Sequence, residues 1–232
     1  MTGFMSGATS TSALASLGAP LAIGVAYLVG SLSFAVIISR LMGLADPRSY
    51  GSGNPGATNV LRSGNRAAAV LTLALDALKG YVPVVVALML QQSLGLSKFT
   101  VAMVGLAAFV GHLWPVFFRF QGGKGVATAA GVLLALNPLL GAATLASWLL
   151  VAAFMRYSSL AALVAAAFAP FFQMLVWGME PAMACIVPMS LLLVWRHAAN
   201  IRKLLNGTET KIGQKSAGQA PSKSAAKNGR KG

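Results

Sequence analysis

Seven apolar runs, parted by short polar stretches, leave this chain few ways to fold. They cover residues 21–42, 67–90, 99–118, 126–136, 139–155, 160–177 and 181–195. An α-helix crosses the hydrocarbon core of a bilayer with about 20 apolar residues at 1.5 Å each, and most of the runs reach or approach that length. Ordinary soluble domains do not carry 56% hydrophobic against 9% charged residues. The chain therefore reads as an all-α integral membrane protein. The fourth run is short, and Asn137-Pro138 is a natural break before the fifth. Hydropathy alone admits seven spans, some short or broken, or five long spans with a broken hairpin.

Charge placement favours seven, because Lys and Arg gather in cytoplasmic loops. With the N-terminus outside, the cytoplasmic segments hold Arg40, Arg48, Arg62 and Arg66, then Arg119 and Lys124, then Arg156, then Arg196 and the basic residues after it. Only Lys98 falls in an outer loop, and Lys79 lies within the second run. The expected topology is N-terminus outside, C-terminus cytoplasmic. It also accounts for a formal charge of +14, from 18 Lys+Arg against 4 Asp+Glu, without nucleic acid, since the basic residues are not interleaved with aromatics on a soluble domain. Residues 1–18 are rich in Ser, Thr, Gly and Ala and lack the basic start of a secretory signal, so they read as a disordered tail. Residues 212–232 carry repeated lysines and almost no apolar bulk, a second disordered tail beside an anionic leaflet. The membrane domain is expected over 19–211. Cys185, the single cysteine, sits in an apolar run and reads as packing; no disulfide or cysteine-based metal site can form within one chain.

That topology gathers four unusual segments on one face: SGNPGATNVLRSGNR (52–66), FRFQGGKGVAT (118–128), RYSSL (156–160) and RHAANIRKLLNG (196–207). Three of them combine Gly or Asn with Arg or Lys, the chemistry of an anion cradle in which backbone N–H groups turn inward and a cation fixes the charge. A phosphate is the natural ligand. Taken singly, glycines near a membrane can serve only close helix approach, and loop arginines only the charge rule. Lys124 is sharper, because Gly122, Gly123 and Gly125 leave backbone amides bare beside an ammonium. The stretch is no Walker loop, since G-x-x-x-x-G-K-[ST] and a partner acidic site are missing, which argues against ATP hydrolysis. Of the two histidines, His197 has Asn200 three residues on, along the same helical face. His112 reads at least as readily as a structural histidine. Asp76 and Lys79 are also three apart, inside the second run, where an ion pair marks either function or a lock within the helices.

These motifs closely resemble those of one family, the bacterial membrane glycerol-3-phosphate acyltransferases of the acyl-phosphate-dependent (PlsY) type. The likeness lies in GSGNPGATNVLR, in DALKGYVPV (76–84), in GHLWPVFFRFQGGKGVAT (111–128), in RYSSL and in HAANIRKLLNGTETK (197–211), ordered motifs in register from Tyr27 to Lys211. The resemblance implies seven spans in the bacterial inner membrane, the short fourth run among them, with the active site facing the cytoplasm. It implies transfer of a fatty acyl group from acyl phosphate to the 1-hydroxyl of sn-glycerol 3-phosphate, giving lysophosphatidic acid and phosphate for phospholipid synthesis. No cofactor and no metal are implied. The expected partners are the two substrates and membrane lipid; the oligomeric state stays open, with a monomer admissible.

Carried onto this chain, the resemblance expects Ser52, Arg62, Lys124, Ser159, His197 and Asn200 to do the chemistry. Gly53, Asn54, Gly56, Asn59, Gly122, Gly123, Gly125, Ser158 and His112 would bind substrate. Lys124 and its glycines would take the acyl-phosphate head and the nascent oxyanion, while Arg62, His197 and Asn200 hold glycerol 3-phosphate and Ser52 hydrogen-bonds beside them. An acyl phosphate is a mixed anhydride with a good leaving group, so positioning and charge neutralisation can supply most of the acceleration. Direct attack by the glycerol hydroxyl is favoured, its proton going to substrate phosphate or water; His197 as general base is the competing version. The H-x-x-x-x-D signature of acyl-CoA-dependent enzymes is absent, with Phe117 five residues after His112 and Arg202 five after His197. One departure is Gln121, where many members carry a basic residue; another is the extension before the first run, which has no counterpart. A transporter or channel for an organic phosphate is the alternative from another class, but it calls for polar groups at mid-depth in several spans, and only Asp76 and Lys79 offer them.

Overall fold

A computed structural model describes the backbone of residues 6–214 and the side chains from residue 17 onward. Its regular elements are all helical: α1 (Ser6–Gly30), α2 (Phe34–Leu41), α3 (Ala57–Val60), α4 (Arg66–Met89), α5 (Lys98–Leu113), α6 (Val126–Leu136), α7 (Pro138–Met155), α8 (Ser158–Trp177), α9 (Met183–Arg196) and α10 (Ala198–Leu205), with single 3-10 turns after α3 and α5. α1 begins at Ser6, so its first turns lie inside the stretch read from sequence as a tail. Residues 1–5 of that stretch, and 215–232 of the basic C-terminal one, lie outside the described residues.

Four segments are long and apolar enough to cross a membrane: α4, α5 with the turn that follows it, α7 and α8. Two bent pairs, α1–α2 at 43° and α9–α10 at 56°, qualify as pairs, which brings the total to as many as six. Seven are reached only by counting α6, whose 11 residues measure about 16 Å. α6 lies in the interior, with Thr128, Ala129, Gly131, Val132, Leu133 and Ala135 buried. Its principal neighbour is α4, and α1 on α5 and α7 on α8 are the other main pairings. Two glycines permit the α4–α6 approach: a Cβ on Gly131 would collide with the carbonyl of Ala77, and one on Gly80 with the carbonyl of Thr128. The outer surface carries Leu73, Leu149, Phe154, Phe171 and Leu175, all exposed, as a face turned toward lipid requires.

The break between α1 and α2 strips the carbonyl of Leu32 of a helical partner, which in hydrocarbon would cost several kcal/mol. Lys79 Nζ donates to it at 2.6 Å and pairs with Asp76 at 2.8 Å. Thr128 Oγ1 on α6 donates to the Asp76 carbonyl at 2.9 Å, and His112 Nδ1 on α5 stands 3.7 Å from the Asp76 carboxylate. The intramembrane pair is thus the joint at which α2, α4, α5 and α6 meet. Of the two readings open from sequence, it takes the form of a lock.

Candidate active site

The polar loop between α2 and α4 is organised by one buried side chain. Asn59 Oδ1 accepts from the Ser52 amide at 3.0 Å and from Arg62 Nη1 at 3.4 Å, and its Nδ2 donates to the carbonyls of Pro47 at 2.6 Å and Tyr50 at 3.1 Å. Both ends of the amide are committed, so Asn59 builds the loop, while Ser52 and Arg62 remain exposed beside it. Gly53 turns the chain at φ +67, and the Gly56 amide donates to the Asn54 carbonyl at 3.0 Å. This loop reaches the second motif at Pro55, whose carbonyl lies so close to Gly123 that a Cβ there would crowd it.

The second loop is pressed flat against α5. A Cβ on Gly122 would collide with the carbonyls of His112 and Leu113, one on Gly123 with the His112 imidazole, and one on Gly125 with the Phe109 ring. Gly125 also adopts φ +85, which L side chains avoid, to turn the chain into α6. The Gly123 amide donates to the His112 carbonyl at 3.1 Å. His112 is buried behind the loop, between Gly123 and Asp76, and supports it from below.

Lys124 leaves this loop and joins a chain of hydrogen bonds that crosses three elements. Its Nζ donates to Asn200 Oδ1 at 2.5 Å, Asn200 Nδ2 donates to Glu209 Oε1 at 2.7 Å, and Ser159 Oγ donates to the same Glu209 oxygen at 2.6 Å. Ser158, one residue earlier, opens α8 and is half-buried. Burial pulls the pKa of Lys124 from 10.5 down to about 8; Glu209 opposes the fall, and the cations Lys203, Arg196 and Arg62 add to it. Arg62, Lys124, Arg196 and Lys203 therefore share one electrostatic neighbourhood, although they come from separate motifs. His197 is buried where α9 gives way to α10, and its Nδ1 lies 2.8 Å from the Leu193 carbonyl. A carbonyl only accepts, so Nδ1 carries the proton and Nε2 is left uncommitted.

Two participants escaped the sequence reading. Glu209 joins Ser159 to Asn200, and Arg196 donates through Nη2 to the carbonyls of Gly122 at 2.7 Å and Gly123 at 2.9 Å, and through Nε to Gly123 at 3.1 Å. The sequence places Arg196 in the 196–207 segment and among the cytoplasmic cations, without a role of its own. Glu209 carried a faint signal, as one of 4 acidic residues in the chain, inside a motif already singled out. A cluster of cations beside a glycine loop can receive phosphate groups and neutralise charge that develops on an adjacent oxygen.

Comparison with known proteins agrees with that chemistry. The family profile described as Glycerol-3-phosphate acyltransferase matches residues 20–207. A glycerol-3-phosphate acyltransferase of Paraburkholderia phytofirmans is 62% identical over 201 residues, 87% of this chain and 94% of that protein. One of Ralstonia nicotianae is 63% identical over 190 residues, 82% of this chain and 92% of that protein. Among solved structures, PlsY (YgiH), an integral membrane glycerol 3-phosphate acyltransferase, matches in its glycerol 3-phosphate form with a TM-score of 0.78 at 38% identity, over 84% of this chain and 96% of that one. Its lysophosphatidic acid form gives 0.76 at 37% identity, over 84% and 95%. With most of both chains aligned at this identity, the chain belongs to the glycerol-3-phosphate acyltransferase family of integral membrane enzymes.

Proposed function

We propose that the protein transfers a fatty acyl group from acyl phosphate to the 1-hydroxyl of sn-glycerol 3-phosphate, releasing lysophosphatidic acid and inorganic phosphate. The solved relative's glycerol 3-phosphate and lysophosphatidic acid forms support the acceptor and the product. The observation that carries the donor is the seating of Lys124: a half-buried ammonium beside a glycine loop that leads straight into the N-terminus of α6. That arrangement suits a small phosphate head, through the cation and the free amides of the first helical turn.

In this reading the glycerol hydroxyl attacks the acyl carbonyl carbon, and the bond from that carbon to the phosphate oxygen breaks. Phosphate leaves with the electron pair, and the hydroxyl proton passes to substrate phosphate or water. Lys124 neutralises the oxyanion and the departing phosphate. Arg62, His197 and Asn200 hold glycerol 3-phosphate, with Ser52 and Ser159 as hydrogen-bonding partners. Asn59 and His112 act behind them, holding the two loops in shape. No general base is needed, because the leaving group is already good. The catalytic membrane domain occupies 19–211 and crosses the bacterial inner membrane seven times with the N-terminus outside and the site facing the cytoplasm. The crowding of cations into alternate loops supports this topology.

Purified protein supplied with acyl phosphate and glycerol 3-phosphate should release inorganic phosphate and form lysophosphatidic acid in equal amounts. Replacing acyl phosphate by acyl-CoA should abolish turnover. Equal rates with the two donors would remove the donor assignment and leave the acceptor standing.

A further inference from the structure

The three hydrogen bonds from Arg196 act on two successive peptide groups. In a trans peptide the C=O and the N–H point in opposite directions, so holding a carbonyl also aims the amide of the next residue. The Gly122 carbonyl and the Gly123 amide form one such unit; Arg196 holds the carbonyl end at 2.7 Å and His112 O receives the amide end at 3.1 Å. The Gly123 carbonyl and the Lys124 amide form the next. Arg196 holds that carbonyl through both Nε and Nη2, while the Lys124 amide has no backbone acceptor among the described residues. On the Gly123 side of this peptide no Cβ opposes a flip, and a flip here would turn the Gly123 carbonyl oxygen toward the side on which an anion has to sit.

We infer that Arg196 is a positioning residue, which pins the Gly123–Lys124 peptide so that the Lys124 amide faces the reacting acyl phosphate. This role rests on the reaction proposed above. The ammonium and the amide of one residue then act on the same ligand, and Arg196 touches neither substrate. A planar fork is needed for this, because the guanidinium reaches two carbonyls at fixed angles, whereas a lysine in its place keeps the charge and loses the geometry.

The test compares wild-type protein with Arg196→Lys in detergent, measuring kcat, the KM of each substrate and the melting temperature. The expected result is a kcat lowered by about 10²-fold, the size seen when one oxyanion donor is lost, with the KM of glycerol 3-phosphate changed less than about 3-fold. An Arg196→Lys protein with wild-type kcat overturns the inference. So does a loss traced wholly to a smaller folded fraction, or one that falls on the KM of glycerol 3-phosphate. Should the variant not fold, wild-type protein labelled with 15N-lysine and 15N-glycine decides the matter: adding a non-hydrolysable acyl phosphonate should shift the Lys124 amide resonance strongly and the Gly123 resonance little. A Lys124 amide that ignores the phosphonate overturns the inference. Failure of the wild type to use acyl phosphate would instead overturn the reaction, so the two failures are distinguishable.

Discussion

At the scale of single residues, the proposed site turns on a lysine whose charge is lost in a mildly alkaline range. Lys124 is lowered to about 8, so in the free enzyme it is charged below that pH and neutral above it. A step that needs the charge is lost as pH rises through 8, and kcat/KM should show a descending limb there. Lys124→Arg stays charged far beyond this range, so its profile should lose the limb, whatever the cost in absolute rate; a wild-type profile that stays flat up to about pH 10 would contradict the assignment. His197 separates differently. If its free Nε2 only binds substrate, His197→Gln should raise the KM of glycerol 3-phosphate about 10-fold, worth about 1.4 kcal/mol, and leave kcat nearly unchanged. A base at this position would instead cost roughly 10²- to 10⁴-fold in kcat at saturating substrate, which steady-state kinetics resolves. The loop around Lys124 stood out in the sequence by its three glycines, and in the structure all three serve its close seat on α5. The role of Arg196 was not legible there, since the Gly122 and Gly123 carbonyls that it holds lie 74 and 73 residues away. Glu209 was hidden because its partner Ser159 lies 50 residues away, a meeting only the fold provides.

At the scale of helices, hydrophobicity located the runs and missed what bends them. The run 67–90 is α4 at Arg66–Met89, and 126–136 coincides with α6. Asn137-Pro138 is the break it was read as, with Asn137 Oδ1 accepting from the amides of Leu139 and Leu140 at 3.1 Å each. The run 21–42, by contrast, conceals a break over Ser31 to Ser33. Averaged hydropathy passes over it, and its stabilising partner, Lys79, is 47 residues distant. The short α6 raises a different question, namely what keeps an 11-residue apolar helix in place. Its close seat on α4 answers it, and the seat depends on glycine. In Gly131→Leu the new side chain would meet the α4 backbone, which cannot yield as a side chain can. The two helices must part, at a cost at or above the roughly 1–3 kcal/mol typical of overpacking. Gly24, on α1, has no atom within 4 Å of such a Cβ, so Gly24→Leu should leave the melting temperature almost unchanged. Thermal unfolding of the two variants in detergent checks the contrast; equal melting temperatures would mean that the α4–α6 seat contributes little.

At the scale of the whole molecule, one asymmetry carries both topology and function. The cations that direct loops to the cytoplasm are the same ones that attract phosphate, so the charged face and the reactive face coincide on the proposed arrangement. On the proposed reading, acyl chains enter from lipid and glycerol 3-phosphate from water, and a site at the boundary receives both without moving either across the membrane. The orientation is testable with single cysteines in a Cys185→Ala background. Cys185 is buried in the apolar core, away from the loops of the site, so its removal should leave activity intact. Gln92, exposed in the turn after α4, falls on the outer side of the seven-span arrangement, and Asn206, exposed after α10, on the inner side with the site. In intact cells an impermeant thiol reagent should label Gln92→Cys and spare Asn206→Cys, and permeabilisation should expose the second. α6 decides the parity of this result: if it does not count as a span, the segments before and after it cannot both keep their assigned sides. Gln92 precedes α6 and Asn206 follows it, so labelling of both cysteines from outside would remove α6 as a span, and labelling of Asn206→Cys alone would invert the whole protein. Either pattern would separate the phosphate-binding loops from the cytoplasmic side on which their substrate is proposed to arrive.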